Sequence, residues 1–201
     1  QTPVPEGAKP YDWDPVTGIA RRFVPGQPGG MHTITGLAHD RASKVAYDPA
    51  INEEGLRARS LKLAALQKTL LPPPVFGGAD GEGGELLLVG WGSTMGAIEE
   101  AVTRLRAEGL KVSSMHLRFL QPMPSGIREI LARFKEVMTI EGNWSDKLHD
   151  ELIDEDNRRY SALAMLLRAR YLVDAEGYAK VQGKPFKQGE LEAKIDEILD
   201  R

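Results

Sequence analysis

Apolar residues between Glu85 and Asn143 fall into three short runs separated by two stretches of helical spacing. Glu85-Leu-Leu-Leu-Val-Gly-Trp-Gly-Ser-Thr opens the series, with Leu86–Val89 as a buried strand. Ala97, Ile98, Ala101, Val102 and Leu105 then recur on one helical face, and Ser93 or Thr94 is placed to cap that helix. Gly109 stands where a left-handed C-terminal residue is needed. Lys111–His116 is the second run, with Val112, Met115 and Leu117 as its strand positions. Pro122 and Pro124 end it, Ser125 is positioned to cap a helix carrying Ile127, Ile130, Leu131 and Phe134, and Glu136–Ile140 is the third run, closed by Gly142-Asn143. Strand, helix, strand, helix, strand at this spacing predicts a parallel sheet with crossover helices, whose loops are where chemistry belongs.

The flanks are less regular. Residues 1–30 are rich in Pro and Gly and poor in large aliphatics, so they read as an extended arm lying on something else, anchored by Tyr11, Trp13 and Phe23. The remainder, 31–201, reads as the α/β domain. Met31–Leu37 is short and β-branched, a candidate strand. Asp48-Pro49 starts a helix with Leu56, Leu63, Leu66 and Leu70 as an apolar stripe, and Pro72-Pro73-Pro74 stops it. Phe76–Gly84 reads as a mobile glycine-rich loop. Asp146–Asp156 is acidic and poorly periodic, an exposed loop or frayed helix. Leu163, Leu166 and Leu167 predict a short helix, Tyr171–Val173 and Tyr178–Val181 predict strands, and Leu191, Ile195, Ile198 and Leu199 predict a final amphipathic helix.

Composition narrows the classes. The 201 residues carry 41% hydrophobic and 27% charged side chains and a net charge of −3, which gives no electrostatic case for nucleic acid as main partner. No apolar run approaches the roughly 20 residues of a membrane helix. Cysteine is absent, which removes disulfides, thiol nucleophiles and cysteine-ligated clusters from this chain and fits a reducing, cytoplasmic compartment. Residue 1 is Gln, so a fragment of a longer protein is the expectation.

Gly90-Trp91-Gly92-Ser93-Thr94 lies between strand and helix. Such a turn is either purely structural or an anion site at a helix N-terminus; it matches neither a dinucleotide fingerprint nor a P-loop. Arg118 follows the second strand, placed either to hold a carboxylate or phosphate bidentately or to lock an interdomain contact. His116 alternates with buried positions and reads as packed, and His39-Asp40-Arg41 reads as a surface ion-pair cluster. The four histidines lack metal-ligand spacing, the acids after Glu151 lack that of a calcium loop, and no Gly-x-Ser-x-Gly occurs. Glu141 ends the third strand, where a carboxylate can serve as base or ligand.

Taken in order, these segments resemble a known family. Gly18-Ile-Ala-Arg-Arg-Phe-Val-Pro-Gly26, Thr35-Gly-Leu-Ala-His-Asp40, the basic helix Arg57–Lys62, Leu88–Gly96, His116-Leu-Arg-Phe-Leu-Gln-Pro122, Glu141-Gly-Asn143 and Gly183-Lys-Pro-Phe186 are similar to the alpha subunits of 2-oxoacid:ferredoxin oxidoreductases, the 2-oxoglutarate group most of all. The match runs from about residue 11 to the end. Trp144-Ser-Asp-Lys-Leu and the acidic run replace the Gly-Gln-Leu of many members. The resemblance implies a three-layer α/β/α sandwich like the transketolase C-terminal domain, with a five-stranded, mixed, mostly parallel sheet whose first strand is antiparallel.

It also implies a parent that decarboxylates a 2-oxoacid on thiamine diphosphate with Mg2+, passes electrons through iron–sulfur clusters to ferredoxin, and makes the acyl-CoA. The implied partners are an upstream pyrimidine-binding domain, a thiamine-binding beta subunit and ferredoxin. This chain has no Gly-Asp-Gly with a distant Asn-Asn for a metal diphosphate, so it is expected to bind no cofactor alone, to hold no catalytic or metal residue, and to act as a subunit-assembly domain. Trp91, Ser93, Thr94, Arg118 and Glu141 are the candidates for interdomain contact or for touching CoA or a substrate anion. The alternatives are a subunit of a pyruvate-dehydrogenase-like or transketolase-like enzyme, coupled to lipoamide or a sugar, and a free-standing anion-binding module.

Overall fold

The computed structural model describes residues 4–199, which divide after Leu70 into two units. In the first, the helix predicted from Asp48-Pro49 is α1, Pro49–Gln67. The Asp48 carboxylate accepts the N–H groups of Ala50 and Ile51 at 2.7 and 3.4 Å. Pro49 takes the first turn, where its missing N–H costs nothing. The arm crosses this helix at Gly18, whose φ is +65° and where a Cβ would stand 2.1 Å from the Ala58 carbonyl oxygen, so only glycine fits.

The arm's aromatic residues pack within their own unit. Tyr11 stacks on His39 at 5.3 Å and donates to the Thr33 carbonyl, and Phe23 lies beside His32. The Arg41 guanidinium covers Trp13 at 4.9 Å and pairs with Asp12 and Glu54.

Two expectations are corrected here. Arg41 pairs with those acids and not with Asp40, whose carboxylate instead accepts the N–H groups of Ala42 and Lys44 and closes a turn. Met31–Leu37 is not a strand. A strand needs a ladder partner, and the Thr35 hydroxyl bonds the Leu37 N–H and the His39 ring, turning the chain at Gly36. Outside named strands, pairing among the described residues is limited to the bridges Trp13–Ala20 and His39–Val45.

The second unit holds the sheet. Its strands are β1 (Val75–Phe76), β2 (Gly84–Trp91), β3 (Val112–Leu117), β4 (Phe134–Glu141) and β5 (Ala175–Ala179), in the order β1-β3-β2-β4-β5. β1 is antiparallel to β3 and all other pairs are parallel. The predicted five-stranded, mixed, mostly parallel sheet is therefore observed, with the antiparallel strand first. That strand is only two residues long, inside what reads as proline stop and loop.

Helices cover both faces. α2 (Met95–Ala107) and α5 (Gln188–Ile198) pack on Leu86, Leu88, Val112, Met138 and Ile140. α3 (Ile127–Leu131) and α4 (Ala162–Tyr171) pack on Leu87, Val89, Met115, Leu117 and Val137. Successive leucines of β2 thus enter opposite layers, which is why that strand is an unbroken apolar run.

Helix ends depart from the sequence reading. Thr94 does not cap α2: its hydroxyl donates to the Trp91 carbonyl and closes the one-turn 3-10 segment Gly92–Thr94. Ser125 does not cap α3, which starts after Gly126 in left-handed conformation. Tyr171–Val173 is no strand, because α4 runs through Tyr171 and ends at Leu172 with φ 55°. Arg128 donates to the carbonyls of Tyr171 and Arg170 and so completes that helix end from outside.

Leu88 is fully buried between two layers whereas Leu56 on α1 is exposed. Leu88→Ala is expected to cost about 2–5 kcal/mol and Leu56→Ala under about 0.5 kcal/mol, read as shifts in chemical denaturation midpoints.

Candidate functional site

Parallel strands of this kind gather their ligand-facing loops at the carboxyl ends, at the point where strand order reverses. Here β2 feeds β3 on one side, and the chain then crosses back to place β4 on the other. Trp91 stands opposite Leu117, and Gly90 opposite Ile140, so the ends of the three strands are level. All five residues singled out from sequence lie at these strand ends or just beyond them.

Glu141 is the most enclosed of the five and points inward. It is 0% exposed. Oε1 accepts from Ser161 Oγ at 2.5 Å, Thr139 Oγ1 at 2.8 Å and the Ala164 N–H at 3.0 Å. Oε2 accepts from Asn143 Nδ2 at 2.7 Å and the Leu163 N–H at 2.8 Å. Leu163 and Ala164 belong to the first turn of α4, whose N-cap Ser161 makes no side-chain bond to its own helix. The carboxylate of β4 thus supplies from a distance the acceptor and the negative charge that a helix start requires. Burial pushes this carboxyl up, and the bonds from Ser161, Leu163, Asn143 and Thr139 outweigh it and hold it below the usual carboxylate range. A group so occupied is not available as base, ligand or interdomain contact.

The glycines of the β2 turn have packing reasons. A Cβ on Gly90 would meet Ile98 Cδ1 at 2.4 Å and Thr94 Oγ1 at 2.7 Å, and Gly92 has φ +63°. Both follow from folding the chain back over the strand end, the structural reading of the motif. Thr94 is buried in that turn, whereas Ser93 is exposed.

What faces outward is different in kind. Trp91 is 36% exposed, Phe119 42% and Trp144 55%. Arg118 is exposed and makes no hydrogen bond or ion pair among the described residues. His116 packs beneath, its Nδ1 buried without a partner. Burial holds its ring below the usual histidine range, Arg118 adding to the effect and Glu99 opposing it.

Trp144 is fixed at its indole N–H, which donates to Asp146 Oδ1 at 2.8 Å. Asp146 also takes the Arg159 guanidinium and N–H, which with Trp144 hold its carboxyl well below its ordinary range. The start of the acidic run is therefore buried and paired rather than exposed. Phe119 and Trp144 were not among the candidates from sequence, although Phe119 adjoins Arg118 and Trp144 follows Glu141 by three residues. The signal available for Ser161 was its place before an apolar helix.

Comparison with known proteins agrees with this architecture. Residues 84–172, from β2 through α4, match the family model for pyruvate:ferredoxin oxidoreductase core domain II. The 2-oxoglutarate oxidoreductase subunit KorA of Mycobacterium tuberculosis is 35% identical over 188 residues, 92% of this chain and 26% of that protein. The 2-oxoacid:ferredoxin oxidoreductase 1 subunit alpha of Aeropyrum pernix is 32% identical over 144 residues, 64% of this chain and 22% of that protein. The structure of 2-oxoglutarate:ferredoxin oxidoreductase from Magnetococcus marinus, with 2-oxoglutarate, coenzyme A and succinyl-CoA bound, superposes with TM-score 0.75 at 28% identity, over 97% of this chain and 32% of that one.

Together these matches support a domain of a 2-oxoacid:ferredoxin oxidoreductase alpha subunit, similar to the 2-oxoglutarate enzymes. The chain spans about a quarter of the length of the curated relatives it matches. Those relatives are alpha subunits of multi-subunit enzymes, so further subunits are implied. No helix among the described residues is long and apolar enough to cross a membrane.

Glu141→Gln is expected to cost about 3 kcal/mol, since an amide N–H2 would face donors. The folded-state pKa of Glu141 is lowered, so its stabilisation is full above the ordinary value of 4.5 and is lost as pH falls through the folded value. Denaturation midpoints of the two proteins measured from pH 7 to pH 3 should therefore converge on the acid side.

Proposed function

We propose that this chain is the C-terminal assembly domain of the alpha subunit of a thiamine diphosphate-dependent 2-oxoglutarate:ferredoxin oxidoreductase, and that it positions partners without supplying a catalytic group. One observation carries the reading. At the sheet edge where this fold presents ligands, the sole strand-end carboxylate, Glu141, is consumed by α4, and the groups left outward are aromatic rings and an unpaired guanidinium. Partly exposed Trp with unpaired Arg is the chemistry of protein interfaces. Trp91, Ser93, Arg118 and Trp144 are the proposed contacts.

The arm is held within its own unit by Tyr11, Trp13 and Phe23, and its outer side meets the neighbouring pyrimidine-binding domain in this reading. The 97%-exposed Met31 and 76%-exposed Ile34 just beyond it support such a cover.

The family's metal and iron–sulfur groups do not fit the residues present. No group of three or more His, Cys, Asp or Glu is placed to hold a metal among the described residues, and the sequence has no cysteine for a cluster. Thiamine diphosphate with Mg2+ and the iron–sulfur cluster therefore belong, in this reading, to the upstream domain and the beta subunit, with ferredoxin reached through the complex in the cytoplasm. The ferredoxin-linked relatives support that acceptor over lipoamide or a sugar.

The test uses the complete alpha subunit with its beta partner. Arg118→Ala and Trp144→Ala should each weaken assembly by about 2 kcal/mol in a sedimentation titration. 2-Oxoglutarate- and CoA-dependent ferredoxin reduction should fall only in proportion to the assembled fraction. Turnover by the isolated chain, or loss of kcat in fully assembled variants, overturns the reading.

A further inference from the structure

We propose that the first unit carries a binding site for a phosphate-bearing small molecule, in the cavity between the arm and α1. The cavity measures about 200 Å³. Arg22 enters it from the arm, and Arg59 and Lys62 from α1, one turn apart on the helix face that also presents Asn52. No Asp or Glu lines it. None of the three cations has an ion pair or hydrogen bond among the described residues, whereas Arg41, nearby in the same unit, is engaged by two acids.

The floor is shaped to admit charge. Gly18 lies against the α1 backbone at Ala58, and Gly55 lacks a side chain where the Arg59 guanidinium lies, 4.0 Å from the position a Cβ would take. The guanidinium is thus folded back over the helix toward the cavity. Tyr11 and Trp13 form the wall, held by His39 and Arg41 respectively.

Three convergent cations with no internal counter-charge exceed what one carboxylate neutralises. A phosphate monoester or a diphosphate matches them in charge, and planar guanidiniums bond its oxygens in pairs. The aromatic wall leaves room for an organic substituent beside the phosphate. This inference does not rest on the assembly reading, because it concerns only residues 10–62 and requires no partner.

The test is calorimetric titration of the 201-residue chain with inorganic pyrophosphate, with ADP and with succinate. Pyrophosphate or ADP should bind in the range up to roughly 1 mM, and succinate at least about tenfold more weakly. Equal binding of the two phosphates identifies the phosphate alone as the recognised group, and preference for ADP identifies an organic ester. Arg59→Ala and Lys62→Ala should each weaken binding roughly tenfold, and Arg59→Lys less, while Arg57→Ala, which removes a cation of the same helix outside the cavity, should leave it unchanged. Circular dichroism of each variant reports folding. Absence of phosphate binding to the parent chain, succinate binding as tightly as pyrophosphate, or an Arg57→Ala loss equal to that of Arg59→Ala overturns the proposal.

Discussion

A carboxylate removed from water must find its donors inside the protein, and for Glu141 they come from three different places. Its own strand gives Thr139, the loop beyond gives Asn143, and the start of α4 gives Ser161 and two backbone N–H groups. Desolvating the charge costs several kcal/mol, and only a complete donor set with a helix dipole aimed at it makes the ionised form the stable one. The arrangement leaves no slack around it. A Cβ on Gly177 of β5 would stand 2.5 Å from Ser161 Oγ, so β5 closes against the same network. One side chain thereby fixes where α4 begins, how it lies on the sheet, and which residue type β5 tolerates beside it.

The same constraint explains the character of the sheet edge. Glycines, Thr94 and Glu141 serve the turn and the helix, and Arg118 is left outward with the aromatic rings. The outward surface consists of the groups that internal packing does not use. In the proposed reading, that edge meets another protein surface. It agrees with a domain that is one part of a longer subunit.

Much of this was legible in the residues. β2 was readable as a continuous apolar run buried on both faces, β3 and β4 as shorter apolar runs at crossover spacing from it, and α2 and α5 because their inward faces recur at helical spacing. α1 was readable from Asp48-Pro49, the leucine spacing after it and the proline stop, although Leu56, Leu63 and Leu66 lie exposed and form no buried stripe. β1 was not, since two residues become a strand only because β3 offers an edge. Met31–Leu37 failed in the opposite direction, having strand-like composition with no ladder beside it. The position of Glu141 at a strand end was visible, but its role was not: the donors that occupy it lie about twenty residues further along, and nothing local marks their return. The cations around the first unit's cavity were equally hidden, because Arg22 and the Arg59–Lys62 turn come together only when Gly18 lies against α1.

Helix α4 owes both its ends to other elements. Its beginning is completed from β4, and its last carbonyls are met by Arg128 from a position 42 to 43 residues earlier. A helix of 10 residues is too short to persist alone. It therefore lacks a fraying pathway of its own, and its amides should exchange with solvent only when the sheet itself opens. Once seated, α4 shares the lifetime of the whole core.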